Sequence, residues 1–264
     1  MYKFYERLCG NRLAFSIMLL LILTGCDRGD TDSMIITPDD AISSHNETPD
    51  NKSPHLTVTI SKLSYMEAEA GIEPYPVRIL VSPAYVRLND GYDESDYVLL
   101  DRKSRTLVSV THENRSVLII NNQALHGSLP DAIALTEESI PDNEAPTISG
   151  KRPLHFKYLA DNKVCRESVS VKGVMSKAVN GMREFATALG ERQSNNMHSV
   201  PTSMQTPCFL SRYVFAAGRI FDNGLPLQSW DNSGFSRTLV DFSDEASVPA
   251  AVFSIPDDYQ SMTL

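Results

Sequence analysis

Hydrophobic positions along this chain change their spacing several times, and each change predicts a different element. Residues 13–23 are almost continuously apolar, from Leu13 through Leu19, Leu20 and Leu21 to Leu23. Residues 27–54 are rich in Asp, Ser, Thr, Asn and Pro, with Met34-Ile35-Ile36 as an apolar island. From residue 55 apolar residues return at period two. Leu56, Val58 and Ile60 alternate with Thr57, Thr59 and Ser61, which predicts a half-buried strand. Val77 to Leu88 reads as a long strand interrupted near Pro83, and Asn89-Asp90-Gly91 as a turn. Short apolar runs at 97–100, 106–110 and 117–120, separated by polar turns, predict an antiparallel meander.

The periodicity is lost over 121–150, which reads as a long surface connection with a short helix near 130–136. Strands are expected again at 154–158 and 164–171, then at 209–216, 225–230 and 235–242, with a last short one within 252–259. Between them, Met175, Ala178, Val179, Met182, Phe185, Ala186 and Leu189 recur at i, i+3 and i+4 across Val174 to Gln193. That is the stripe of one amphipathic helix. The expected fold is mainly β (α+β), with nine to eleven strands in one domain over 55–264. A curved antiparallel sheet or half-barrel carries the helix packed on it.

Residues 1–25 have the order of a secretory signal: basic Lys3, Arg7 and Arg12, an apolar stretch, then small Thr24 and Gly25. The apolar stretch is shorter than the roughly 20 residues a membrane span takes. Leu23-Thr24-Gly25-Cys26 resembles the lipobox of bacterial lipoproteins. The resemblance implies cleavage before Cys26 and acylation of Cys26, with palmitate-like chains anchoring the protein to a bilayer. Several acyl chains, at about 0.8 kcal/mol per buried CH₂, hold firmly where one barely does. Asp27 after the cysteine resembles an inner-membrane retention signal, so the expected place is the periplasmic face of the inner membrane, with the outer membrane as the alternative. Residues 26–54 then form a lipidated, disordered tether with a reach of about 30 Å.

Charge narrows the partners. The chain carries a formal net charge of −9. Without residues 1–25 it keeps 21 basic and 32 acidic residues, a net of −11. Such a surface argues against nucleic acid and against adsorption on anionic lipid. With Cys9 in the signal and Cys26 acylated, Cys165 and Cys208 remain, and in an oxidising compartment they suggest one disulfide around the helix.

The chemistry-bearing residues form no motif: there is no Gly-x-Ser-x-Gly elbow, no His-Glu-x-x-His and no phosphate-binding glycine loop. The six histidines are scattered. His155, between Leu154 and Phe156, is expected to point away from their face. No enzyme activity, metal or cofactor is expected.

The strand pattern with its single helix is similar to the half-barrel of periplasmic lipoprotein carriers and receptors of the LolA and LolB type. The residues that carry this are Asp96 to Asp101 with Val108 to Val110, and Phe253 to Tyr259. The resemblance implies a binding module for a hydrophobic ligand, a lipid or an envelope protein. Met175, Val179, Met182, Trp230 and Phe235 are the candidate apolar site. The alternative is a structural or interaction protein of the envelope without a ligand pocket.

Overall fold

The computed structural model describes residues 56–141 and 146–264. The expected signal over 1–25, the expected acylation of Cys26 and the expected tether over 26–54 lie outside the described residues. The described chain is mostly β, organised as one large open sheet with few helices.

The sheet has 12 strands. They are β1 (Thr57–Glu69), β2 (Ile72–Val81), β3 (Tyr85–Asn89), β4 (Tyr97–Asp101), β5 (Leu107–Thr111) and β6 (Ser116–Ile120), then β7 (Leu135–Pro141), β8 (Leu154–Ala160), β9 (Lys163–Val171), β10 (Leu225–Trp230), β11 (Ser236–Pro249) and β12 (Gln260–Thr263). Their spatial order is β12-β6-β5-β4-β3-β2-β1-β11-β10-β9-β8-β7. Every neighbouring pair is antiparallel except β12, which runs parallel to β6. The two longest strands, β1 and β11, pair from Thr57↔Pro249 to Ala68↔Ser236 and join the early half of the chain to the late half.

Helix α1 (Ser176–Asn195) lies two residues further along than the stripe predicted at each end. Its buried side chains include Ala178, Val179, Met182, Phe185 and Ala188, spaced as the period of 3.6 requires. Gly181 sits so close to the sheet that a Cβ there would lie 2.6 Å from Val81 Cγ1 and 3.1 Å from Val86 Cγ2. Arg102, in the β4–β5 turn, grips both carboxylate oxygens of Glu184 at 2.6 and 2.8 Å, and Arg105 holds Glu191 at 2.7 Å. The face of the sheet that carries Val81 and Val86 is here the helix face.

The reverse face of the early strands has its own core. Ile60, Leu80, Leu99, Val108, Val110 and Val117 pack beneath Val252 and Phe253. Those two belong to a 3₁₀ turn over Ala250–Phe253. Arg87 is buried in this core. It donates to the carbonyls of Val252 and Asp93 and stands 4.0 Å over the ring of Tyr97.

Four expectations need correction. Residues 77–88 are not one interrupted strand: the chain reverses at Ser82-Pro83-Ala84, and β2 pairs with β3. No helix occupies 130–136; β7 begins at Leu135 and forms an edge by backbone pairing with β8. The 3₁₀ turn fills the start of 252–259, and the final strand follows it at 260–263. Residues 209–216 are helical, as detailed next.

Candidate functional site

Residues 206–224 cross the helix face of the late strands. Phe209, Tyr213, Val214 and Phe215 are good strand formers, which is why the pattern reads as β. Local capping overrides that preference. Thr206 caps a short helix, α2 (Pro207–Leu210), by accepting from Phe209 N at 3.2 Å, and Pro207 suits a first turn because it lacks an N–H. The helix runs into a π turn over Ser211–Phe215, closed by Ala216 N donating to Ser211 O at 3.0 Å. Such turns are uncommon and recur at functional sites. A disulfide from Cys208 to Cys165 on β9 ties the segment to the sheet, with Cα atoms 5.1 Å apart.

Glycines seat the segment against α1 and the sheet. A Cβ on Gly190 would lie 2.5 Å from Val214 O. Gly224, at φ +93°, follows the 3₁₀ turn Arg219–Asn223, and a Cβ there would overlap the backbone of Val171.

Beneath the segment the sheet is polar. Glu67, Arg237, Ser229, Ser168 and Phe156 form one row of cross-strand neighbours over β1, β11, β10, β9 and β8. Ser168, Ser229, Glu67, Tyr158 and Asn223 are buried. Asn223 Nδ2 donates to Tyr158 OH at 3.3 Å, Tyr158 OH donates to Ile220 O at 3.3 Å, and Ser168 Oγ shares a 2.9 Å bond with Ser170 Oγ. Arg237 Nε donates to Glu67 at 2.6 Å. Burial works against the charge on Arg237, but Glu67 beside it keeps its pKa raised.

At the edge of this polar patch a narrow cleft with about 30 Å³ of free space is lined by Tyr158, Arg166, Ser211, Arg212 and Arg219, next to the disulfide. Arg212 forms an ion pair with Asp231; their side chains are 12% and 2% exposed, so the pair is largely out of water. Burial opposes the Asp231 charge, yet bonds from Ser233 and the nearness of Arg212 hold it below the ordinary carboxylate range. Arg219 is spent on the carbonyls of Leu159 (3.3 Å) and Thr136 (2.5 Å). Arg166 reaches only a neutral acceptor, Ser229 Oγ, at 3.2 Å. The Nε atoms of Arg166 and Arg212 are buried without a hydrogen-bond partner. Burial pushes the Arg166 pKa down to about 9, and Arg212 and Arg237 push the same way by like-charge repulsion. The place is electropositive within an acidic chain.

The residues expected to form an apolar site fall in three places. Met175, Val179 and Met182 are buried, at 4%, 6% and 4% exposure, in the packing of α1 and the turn before it. Phe235 stands beside the arginines, 5.7 Å from Arg166 and 5.6 Å from Arg212. Trp230 follows Ser229 along β10 and so points to the reverse face, where it stacks 5.4 Å from His155. His155 does point away from Phe156, and it bonds Glu167 at 2.8 Å. Around them the reverse face is uncovered: Met66, Val240 and Ile140 are 40%, 66% and 42% exposed.

The arginine cleft was not anticipated from the sequence. A signal was present, since Arg166 follows Cys165 directly and Arg212 lies one helical turn beyond Cys208. Among the described residues no group of His, Cys, Asp and Glu is placed to hold a metal ion, and no helix is long and apolar enough to cross a membrane.

No family model matches the chain, and no curated protein matches it in sequence. Solved structures are similar at low levels. An uncharacterized conserved protein from Thermus thermophilus aligns at 11% identity and a TM-score of 0.38, over 78% of this chain and 91% of that one. PNGF-II in one crystal form aligns at 10% identity and a TM-score of 0.38, over 78% of this chain but 31% of its own.

Proposed function

We propose that this chain is a lipoprotein, acylated at Cys26, held on the periplasmic face of the inner membrane, and that residues 55–264 are a binding module rather than an enzyme. In this reading the sheet acts as a curved half-barrel with α1 packed on it, and ligand enters beside the disulfide-tethered segment. The observation that carries the reading is the polar interior under residues 206–224, where the buried Nε atoms of Arg166 and Arg212 lack partners. Buried donors without acceptors cost stability, on the order of 1–3 kcal/mol each. The Nε atoms of Arg87, Arg183 and Arg192 also lack partners, but those of Arg166 and Arg212 belong to two arginines that line one cleft, where a ligand could supply the acceptors.

A packed α1 face argues for placing the ligand there rather than at Met175, Val179 and Met182, where Gly181 already meets Val81. The test is native mass spectrometry of the full chain extracted in detergent, beside Cys26→Ser and Arg166→Gln variants. The reading expects acyl mass that Cys26→Ser loses, and a co-extracted ligand that Arg166→Gln loses. An unacylated chain overturns the anchor, and a ligand-free wild type overturns the module.

A second reading, an envelope interaction protein, is favoured by the uncovered reverse face with Met66, Val240 and Ile140. A photo-crosslinker at position 240 that captures one envelope protein in intact cells supports it, and the absence of any adduct counts against it.

A further inference from the structure

We infer that Arg166, Arg212 and Arg219 form a binding site for a phosphate group. This rests on the binding-module reading and adds the chemistry of the ligand. The argument begins with charge. Four guanidinium groups gather on the helix face of β8 to β11 and in the segment above it: Arg166, Arg212, Arg219 and Arg237. Two have carboxylate partners, Asp231 for Arg212 and Glu67 for Arg237. Among the described residues Arg166 and Arg219 meet only neutral oxygens, those of Ser229, Leu159 and Thr136. Neither makes an ion pair of its own, and Arg166 shares the field of Asp231 with Arg212, so positive charge is in excess here in a chain whose formal net charge is −9.

Geometry narrows the ligand. All three cleft arginines line one narrow space together with Tyr158 and Ser211. A guanidinium donates from Nε and both Nη atoms in a planar fork, which matches oxyanions in pairs of parallel bonds. Arg166 and Arg212 each keep a buried Nε unused. A carboxylate is planar, carries one charge and is satisfied by one such fork. A phosphate monoester or inorganic phosphate carries nearly two charges and offers oxygens in several directions, which suits donors arriving from β9, the π turn and the following 3₁₀ turn. Phe235 beside Arg166 and Arg212 closes one side with an apolar ring. With about 30 Å³ of free space the cleft is well below the size of drug-sized ligand sites, excludes a buried acyl chain and leaves room only for a group of a few heavy atoms.

The experiment is a titration of the full chain in neutral detergent, followed by calorimetry and by thermal unfolding at constant ionic strength. Inorganic phosphate, acetate and dihexanoyl-phosphatidylglycerol are the probes, with chloride as the reference. Saturable binding of phosphate, at least tenfold weaker in Arg166→Gln and Arg219→Gln, is expected. Preference for inorganic phosphate marks a free phosphate or monoester as ligand, and preference for the lipid marks a head group; either supports the site. Arg212→Gln is avoided because it strands the buried Asp231. Without ligand, Arg166→Gln should melt at or above the wild-type temperature, since the substitution removes a buried charge among like charges. A purely structural arginine would lower it. Equal responses to phosphate, acetate and chloride, or a phosphate response unchanged in both variants, overturns the inference. If such a result comes with a co-extracted ligand that Arg166→Gln loses, the binding module stands and the phosphate assignment falls. If no ligand is extracted and no phosphate binds, both fall.

Discussion

Cys165 and Cys208 are bonded across 43 residues of sequence, and the bond joins strand β9 beside Arg166 to the helical segment that carries Arg212. It encloses all of α1 within its loop. In the chain-entropy model a loop of this length stabilises by about 4 kcal/mol. The double substitution Cys165→Ala, Cys208→Ala should therefore lower the unfolding free energy by roughly that amount in urea titration. It should also raise hydrogen exchange over 207–217 more than over β3 to β5. Uniform loosening of both regions would show that the bond does not hold the segment locally.

Gly190 and Gly181 mark where α1 touches its neighbours. Alanine normally gains up to about 1 kcal/mol over glycine within a helix. At Gly181 the added Cβ would press on the stiff side chains of Val81 and Val86, and at Gly190 on the backbone of the π turn. Overpacking of this kind costs about 1–3 kcal/mol. Both alanine variants are expected to be less stable than wild type in chemical denaturation. Gly190→Ala should in addition weaken phosphate binding, because it displaces the turn that presents Arg212. A more stable Gly190→Ala would mean the turn yields freely.

Arg87 sits in the reverse-face core without a salt bridge among the described residues, donating to the carbonyls of Val252 and Asp93 and lying over the face of Tyr97. Burial lowers its pKa, and the nearby Tyr97 and Asp93 offset part of that. Arg87→Met keeps the length of the stem but leaves both carbonyls without their donor. The expected loss is about 2–4 kcal/mol, read as a shift in the urea midpoint at unchanged slope. Tyr97→Phe, which removes the 2.6 Å bond to Ser254 O, should cost about 1 kcal/mol.

Glu184 gives a pH signature. Its bidentate bond from Arg102 holds its pKa below the ordinary value of 4.5, with burial opposing. A lowered folded pKa means the contribution is fully present above about pH 4.5 and is lost as pH falls through the folded value. Glu184→Gln should thus lower the melting temperature at pH 7, and by less near pH 3. The side chain is 42% exposed, so the effect at pH 7 should lie within about 1 kcal/mol. An equal deficit at both pH values would assign the loss to packing instead.

Legibility varied with how local the cause was. Leu56, Val58 and Ile60 announce β1 because alternation is a property of adjacent residues. The stripe through Ala178, Val179, Met182 and Phe185 announces α1 for the same reason at period 3.6. Residues 135–141 hid their strand because β7 is an edge whose side chains stay in water, so pairing with β8 runs through the backbone and leaves no apolar pattern. Residues 209–215 misled because their β-forming side chains were outweighed by Thr206, Pro207 and the Cys208 tether. The arginine cleft left no periodic pattern, only the nearness of Arg166 and Arg212 to the two cysteines, since Arg166, Arg212 and Arg219 lie on three elements up to 53 positions apart.

By itself the sequence determined the mainly β character and the one long helix, and it pointed to Cys165 and Cys208 as a bonded pair. Each of these follows from side-chain periodicity or residue type within a short window. Only the tertiary structure decided that β1 pairs with β11 across the length of the domain, that Trp230 and Phe235 part company on opposite sides of the sheet, and that the guanidinium groups of Arg166, Arg212 and Arg219 converge beside the disulfide. Those outcomes depend on which distant strands share hydrogen bonds, and a strand's alternation is the same whichever partner it meets.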